Sequence, residues 1–169
     1  LYLLAGGQKL GGIQREIARR DYGSERVLSE ALEPFSGRVA YVILDTGPGW
    51  DALLVNVLFY AEELISPIHL EGLAVSGLGA FLQRVGDIRR HRAELQQPLI
   101  LPTALDRRTS QSGEILGQLE RAFPEQLLPA IPYSVRLSEA AARGMSIWEY
   151  APSSSGAEAY RVLIERLLS

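Results

Sequence analysis

An acid placed where an apolar strand should end is the residue of this chain whose surroundings most invite chemistry. In "YVILDTGPGW", residues 41 to 50, four apolar residues lead into Asp45, and Gly47, Pro48 and Gly49 follow at once. A carboxylate in that position can hold a magnesium ion, usually through water, while a Gly-Pro-Gly turn lets the backbone bend sharply beside a phosphate. Taken alone, Asp45 has a second reading, as a strand-end aspartate that caps the turn or the helix beginning near Asp51. Other chemistries find little support. The chain has no cysteine, which excludes disulfides and thiolate metal sites. Its two histidines, His69 and His91, have no partner at a metal-ligand spacing, and read as a loop hydrogen-bonding group and a solvated helix residue.

The elements that must position Asp45 follow from hydropathy patterning. Short apolar runs at Leu1–Leu4, Val39–Leu44, Leu64–Ile68, Leu99–Thr103 and Leu127–Ile131 read as strands. Between them Gly11–Arg20, Ser24–Phe35, Asp51–Ala61, Gly72–Leu95 and Gly113–Phe123 read as helices, and Ser155–Leu168 as the last one. Ser24 is a plausible cap for its helix, with Val27, Leu28, Ala31 and Leu32 as the apolar face and Pro34 near its end. Strands apolar on both faces, joined by connections long enough for crossover helices, predict an α/β fold: a mostly parallel sheet with helices on both faces. Ligands of such sheets bind beyond the carboxyl ends of the strands, where Asp45 is expected. No repeat, low-complexity tract or linker divides residues 1–169, so a single domain is expected.

Composition frames the rest. With 169 residues, 47% hydrophobic and 22% charged, the chain has enough apolar surface for one sizeable core. No apolar run approaches the ~20 residues that span a bilayer. A net charge of -3 means that any nucleic-acid surface is a local basic patch and not a whole-protein field. The chain opens at Leu1 without an initiator methionine, and its one methionine is Met145, so a fragment of a longer protein is expected.

The strand and turn around Asp45 have the form of a Walker B motif. The stretch "YVILDTGPGWDALLVNVLFYAEELISPIHLEGLAVSGL" resembles the ParA/MinD family of deviant P-loop ATPases and, within it, the ParA/Soj partition proteins. "LPTALDRRT" is similar to the family's late strand and loop, and "IPYSVRLSEAAARGMSIWEYAPSSSGAEAYRVLIERL" to its C-terminal segment, so the likeness runs from Leu1 to Leu168. The resemblance implies ATP and Mg2+ as cofactors, an ATP-dependent homodimer, non-specific binding to double-stranded DNA, a ParB-like partner protein, and a cytoplasmic, nucleoid-associated role in chromosome or plasmid segregation. Membrane attachment is not expected, because "AYRVLIERLLS" reads as a packing helix and not as the basic membrane helix of MinD-like proteins.

Residue by residue, the resemblance makes Asp45 the Walker B acid, orienting magnesium and the attacking water. "TGP" stands where the family has Cys-Pro-Pro, so Gly47 loosens that turn. Thr103 and the loop Pro132, Tyr133, Ser134 match segments that hold adenine, largely through backbone groups. Arg108 and Arg136 match the arginines with which ParA/Soj proteins contact DNA. Arg107, Arg89, Arg90 and Arg92 are further candidates for the same surface. Tyr133 stands where relatives often carry arginine, and no aromatic interleaving in the sequence points to base stacking. The stretch "AGGQKLGG", residues 5 to 12, contains Lys9 but no G-K-[ST] ending, so it reads as a loop opening a helix and not as a Walker A loop. Without such a loop the main electrostatic contribution to phosphoryl transfer is missing. The parent protein is therefore expected to be an ATPase and this chain alone inactive. The alternative is a binding or regulatory module that works without a phosphate loop.

Overall fold

A computed structural model of the chain describes residues 2–7, 10–71 and 74–169. Leu1, Lys9 and Gly72, on which a strand start, a loop lysine and a helix start were expected, lie outside the described residues. The fold is α/β, with a parallel sheet and flanking helices. The chain divides into two compact units, one made of residues up to Glu62 together with Asp87–Gln96, the other of Glu63–Gly86 and Gln97–Ser169.

The first unit carries α1 (Leu10–Ile17), α2 (Val27–Leu32) and α3 (Ala52–Tyr60). Single 3-10 turns, Ser24–Arg26 and Glu33–Phe35, bracket α2. Ser24 does not cap this segment with its side chain, contrary to expectation: the turn is entered through Gly23, whose φ of 70° suits a residue without a Cβ. Instead the Ser24 carbonyl accepts a hydrogen bond from buried Asn56 of α3 at 2.8 Å. The same side chain donates to the Ala52 carbonyl and accepts from the Leu28 N–H, so one satisfied amide fastens α2 to α3.

Val39–Leu44 forms no strand. No ladder joins it to another described residue, and Tyr41, Val42 and Ile43 are exposed, Ile43 to 93%. The sequence pattern supplies side chains that suit a sheet interior, but a strand exists only through the hydrogen bonds of a neighbour. Residues 2–4 of the first expected strand likewise lie outside regular structure and are exposed.

The second unit is built on β1 (Ile65–His69) and β2 (Leu99–Thr103), paired in parallel from Ile65↔Leu99 to His69↔Thr103. The Leu64 carbonyl and the Leu70 N–H both bond to β2, so the even-numbered residues of β1 turn their backbone groups inward and Pro67 turns its missing donor to the outer edge. Leu127–Ile131, expected as a full strand, forms no ladder: it meets β2 at the bridge Ile100↔Leu127 and through the Ile131 N–H on the Pro102 carbonyl, and a second bridge, Leu105↔Pro132, lies just beyond. Proline explains part of the break: Pro102 faces this segment but carries no N–H, so one ladder bond after Ile100 cannot form.

Helices cover both faces of this sheet. Ile68, Leu70 and Ile100 pack with Leu78 of α4 (Ala74–Arg89) and with Ile115 and Leu119 of α5 (Ser110–Ala122). On the other face Leu101, Leu128 and Ile131 pack with Leu163 of α8 (Ser155–Leu168). Helix α4 ends at Arg89, short of the expected Leu95. Two short helices, α6 (Val135–Ala142) and α7 (Ile147–Tyr150), precede α8 and were not expected. Ser146 and Glu149 form a reciprocal capping box at α7, and the Ser154 hydroxyl accepts the Ala157 N–H to start α8.

Candidate functional site

Asp45 lies in the first unit, exposed, with no hydrogen bond or ion pair to another described residue. The second reading of that acid as a helix cap is answered by the sequence neighbour. Asp51 caps α3, accepting the Leu54 N–H at 2.9 Å, and its other oxygen accepts from Gln14 at 2.7 Å. In the turn between them Gly49, at φ 140°, and not Gly47, takes the backbone conformation closed to other residues.

The expected base-binding segments belong to the second unit, and there they meet. The Leu105 N–H bonds the Ile131 carbonyl at 3.0 Å, and the Tyr133 N–H bonds the Leu105 carbonyl at 2.9 Å, which sets Thr103–Leu105 beside Pro132–Ser134 beyond the carboxyl end of β2. Some groups that a ligand would need are already taken. The Thr103 hydroxyl donates to the Ile68 carbonyl at 3.1 Å and closes the end of the sheet, and the Tyr133 N–H is occupied as above. Between the two segments Ala104 adopts φ 55°, a left-handed conformation costing an L-residue about 1–2 kcal/mol. Ser134 is the N-cap residue of α6, although its hydroxyl makes no capping bond.

Arg108 and Arg136 are both solvent-facing, at 79% and 60% side-chain exposure. Each is held by a carboxylate. Asp106 accepts the Arg108 backbone N–H at 3.0 Å and grips the guanidinium from two sides, Nε at 2.9 Å and Nη2 at 2.7 Å. Those bonds, the side-chain one first, pull the Asp106 pKa down to about 2. The Arg108 guanidinium also lies 5.9 Å from the ring centroid of Tyr133, which is 55% exposed and three residues before Arg136. Arg136 donates to Glu139 at 2.9 Å, and the same oxygen accepts from the Tyr150 hydroxyl at 2.9 Å. The Tyr150 hydroxyl first, and Arg136 second, hold Glu139 below the usual carboxylate range, while the Arg136 cation is favoured by its Glu139 bond first and by Tyr150 second. Arg143 lies over the Tyr150 ring, 4.7 Å from its centroid.

Sequence reasoning thus found two arginines and missed the side chains that frame them. Glu139, Tyr150 and Arg143 become legible only when α6 and α7 are known, because the Tyr150 hydroxyl at the end of α7 bonds Glu139 of α6, while Asp106 depends on the turn that brings Arg108 back to it. Of the other expected cations, Arg107 is exposed beside Arg108. Arg89, Arg90 and Arg92 belong to the first unit: Arg89 bonds the Leu95 carbonyl, Arg90 pairs with Asp87, and Arg92, 17% exposed, bonds the Tyr60 carbonyl. They finish α4 and its following turn. His69 and His91 are exposed, and no group of acidic and imidazole side chains able to hold a metal occurs among the described residues.

Residues 1–97 match a family model described as "AAA domain". The chain is 33% identical over 135 residues to the sporulation initiation inhibitor protein Soj of Bacillus subtilis, covering 79% of this chain and 53% of that protein. It is also 33% identical over 170 residues to the chromosome-partitioning ATPase Soj of Thermus thermophilus, covering 99% of this chain and 66% of that protein. The chain belongs to the ParA/MinD family of P-loop ATPases, in its ParA/Soj partition branch. It spans between half and two thirds of the length of these two relatives. Among solved structures, cobyrinic acid a,c-diamide synthase from Mycobacterium smegmatis, with bound ADP and magnesium, superimposes with a TM-score of 0.73 at 29% identity, over 95% of this chain and 58% of that one. Nucleotide and magnesium are therefore ligands found on this fold in a relative. No helix among the described residues is long and apolar enough to cross a membrane.

Proposed function

We propose that this ParA/Soj-type chain is part of an ATP-dependent partition protein that binds double-stranded DNA without sequence preference as a nucleotide-bound homodimer, in chromosome or plasmid segregation. Asp45 orients magnesium and the attacking water. Thr103, Pro132, Tyr133 and Ser134 take the adenine, and Arg108 and Arg136 take DNA phosphates. The partner is a ParB-like protein, and the site of action is the nucleoid in the cytoplasm. The observation that carries the DNA reading is the approach of Arg108 to Tyr133 at the entry to α6, which draws two exposed guanidinium groups, distant in sequence, to one edge of the second unit. Cations gathered on one face release counterions from DNA together, which scattered cations do not.

The test is DNA affinity by fluorescence anisotropy, at several salt concentrations, in the full-length ATP-bound protein. Replacing both Arg108 and Arg136 by alanine should weaken binding alike on unrelated duplexes and flatten the salt slope by about 0.9 per lost contact. An unchanged slope in a folded variant removes DNA from the function.

A further inference from the structure

Neither arginine of the proposed DNA surface presents its whole guanidinium to solvent. Arginine carries five N–H donors in a planar fork, and the edge that grips a carboxylate is the edge that grips a phosphate. In Arg108 the Nε–Nη2 edge is filled by Asp106, leaving the Nη1 side. In Arg136 Nη1 is filled by Glu139. A third cation, Arg143, continues the same run of side chains through its contact with Tyr150, whose hydroxyl bonds Glu139. Three arginines, two tyrosines and two carboxylates thus follow one another along the loop Asp106–Arg108, the entry to α6 and the end of α7, with one net positive charge among them.

We propose that Asp106 and Glu139 are built-in competitors for nucleic-acid phosphate, holding Arg108 and Arg136 in a half-neutralised state, and that Arg143 is a third phosphate-binding cation of this strip. The inference rests on the DNA reading above and adds to it what sets the strength of binding. Exposed ion pairs are weak and exchange readily, so a phosphate can displace either carboxylate. Each displacement returns an uncompensated carboxylate to the interface, where it repels the backbone beside it. Binding is thereby kept shallow, and release needs no separate device. The tyrosines keep the guanidinium planes oriented: Arg108 over Tyr133 and Arg143 over Tyr150 both sit at cation–π range.

The experiment uses the full-length ATP-bound protein and two unrelated duplexes. Asp106→Asn keeps an acceptor for the Arg108 N–H, and Glu139→Gln keeps one for the Tyr150 hydroxyl, so each removes charge with little loss of geometry. Each should raise affinity roughly threefold to tenfold on both duplexes and steepen the salt slope by up to about 0.9. Arg143→Ala should flatten the slope by about the same amount. Circular dichroism checks folding, and Asp106→Ser, which also keeps a turn acceptor, replaces the asparagine variant if that one unfolds. Carboxylate variants that bind no tighter than wild type, with an unchanged slope, overturn the competition. An unchanged slope in Arg143→Ala overturns the third cation. If either happens while the Arg108/Arg136 alanine variant still loses binding, the DNA reading stands and only this addition falls. If that alanine variant binds as wild type does, the DNA reading falls and the restraint falls with it.

Discussion

A carboxylate two residues from an arginine is ordinary in a sequence, yet in "LDRRT" the backbone turn makes Asp106 and Arg108 a single unit. The Asp106 side chain accepts both the Arg108 N–H and its guanidinium, so the ionised form is favoured by several bonds at once. Its folded pKa of about 2 lies below the ordinary 3.8, which makes this a group that stabilises the fold above the ordinary value and loses that contribution as pH falls toward 2. Carbon-detected NMR of the side-chain carboxyl should show a midpoint near 2 in the wild type. In Arg108→Ala the midpoint should climb back toward 3.8, and a midpoint that stays low would assign the shift to the turn N–H alone. The sequence named Arg108 and Arg136 through their motif positions. It could not name Asp106 or Glu139 as their partners, because i,i+2 and i,i+3 spacings leave open whether two side chains turn toward each other. Asp45 stood out for the opposite reason: a local pattern of apolar run, acid and glycine-rich turn singles it out without any knowledge of packing, and its role remains part of the proposal above.

Elements were most legible where one stretch of chain carries both the pattern and its own hydrogen bonds. Helix α8 begins and ends where expected, and β2 does so because its neighbour β1 is also present to bond it. Val39–Leu44 has an equally apolar pattern but depends on a neighbour for every backbone bond, and pattern alone could not supply one. Of the two helices that were overlooked, α7 had its start signal in view, since "SIWE" is its capping box, whereas the Ser134 hydroxyl at α6 makes no capping bond. They were overlooked because each is short, with few turns over which a period can show. Their packing has one tight point. A Cβ built at Gly156 of α8 would stand 2.9 Å from Leu137 Cγ of α6. Gly156→Ala gains up to about 1 kcal/mol of helix propensity but forces apart a contact of the kind that costs about 1–3 kcal/mol. Urea denaturation should therefore show a net loss of stability. Adding Leu137→Ala should recover the propensity gain relative to Leu137→Ala alone, and a stabilised single variant would show that α6 yields at little cost.

At the scale of the molecule, a net charge of -3 says nothing for or against a local cluster of arginines, so the proposed DNA surface has to be argued from individual side chains. The same scale governs turnover. The 169 residues contain no G-K-[ST] phosphate loop, so the chain by itself lacks the lysine and backbone donors that neutralise the β- and γ-phosphates. Phosphate release with ATP and magnesium should be absent from the 169-residue chain and present in the full-length protein. In the latter, Asp45→Ala should lower the rate roughly tenfold to a hundredfold, as expected when a group that orients a metal through water is removed. Turnover by the short chain that Asp45→Ala abolishes would show that some other segment cradles the phosphates.

The two compact units are interleaved in sequence: the chain passes from the first to the second after Glu62, returns after Gly86 and leaves again after Gln96. Helix α4, running from Ala74 to Arg89, carries the middle crossing within one continuous hydrogen-bonded rod. No single cut can therefore yield both units intact, since cleavage at any one of the three crossings leaves at least one fragment holding pieces of both. A protease that nicks the loop after Glu62 would release a C-terminal piece still carrying Asp87–Gln96, which belongs to the other unit. Expressing the second unit alone would require an excision and a splice, with Gly86 joined to Gln97 through a short spacer in place of the ten residues removed.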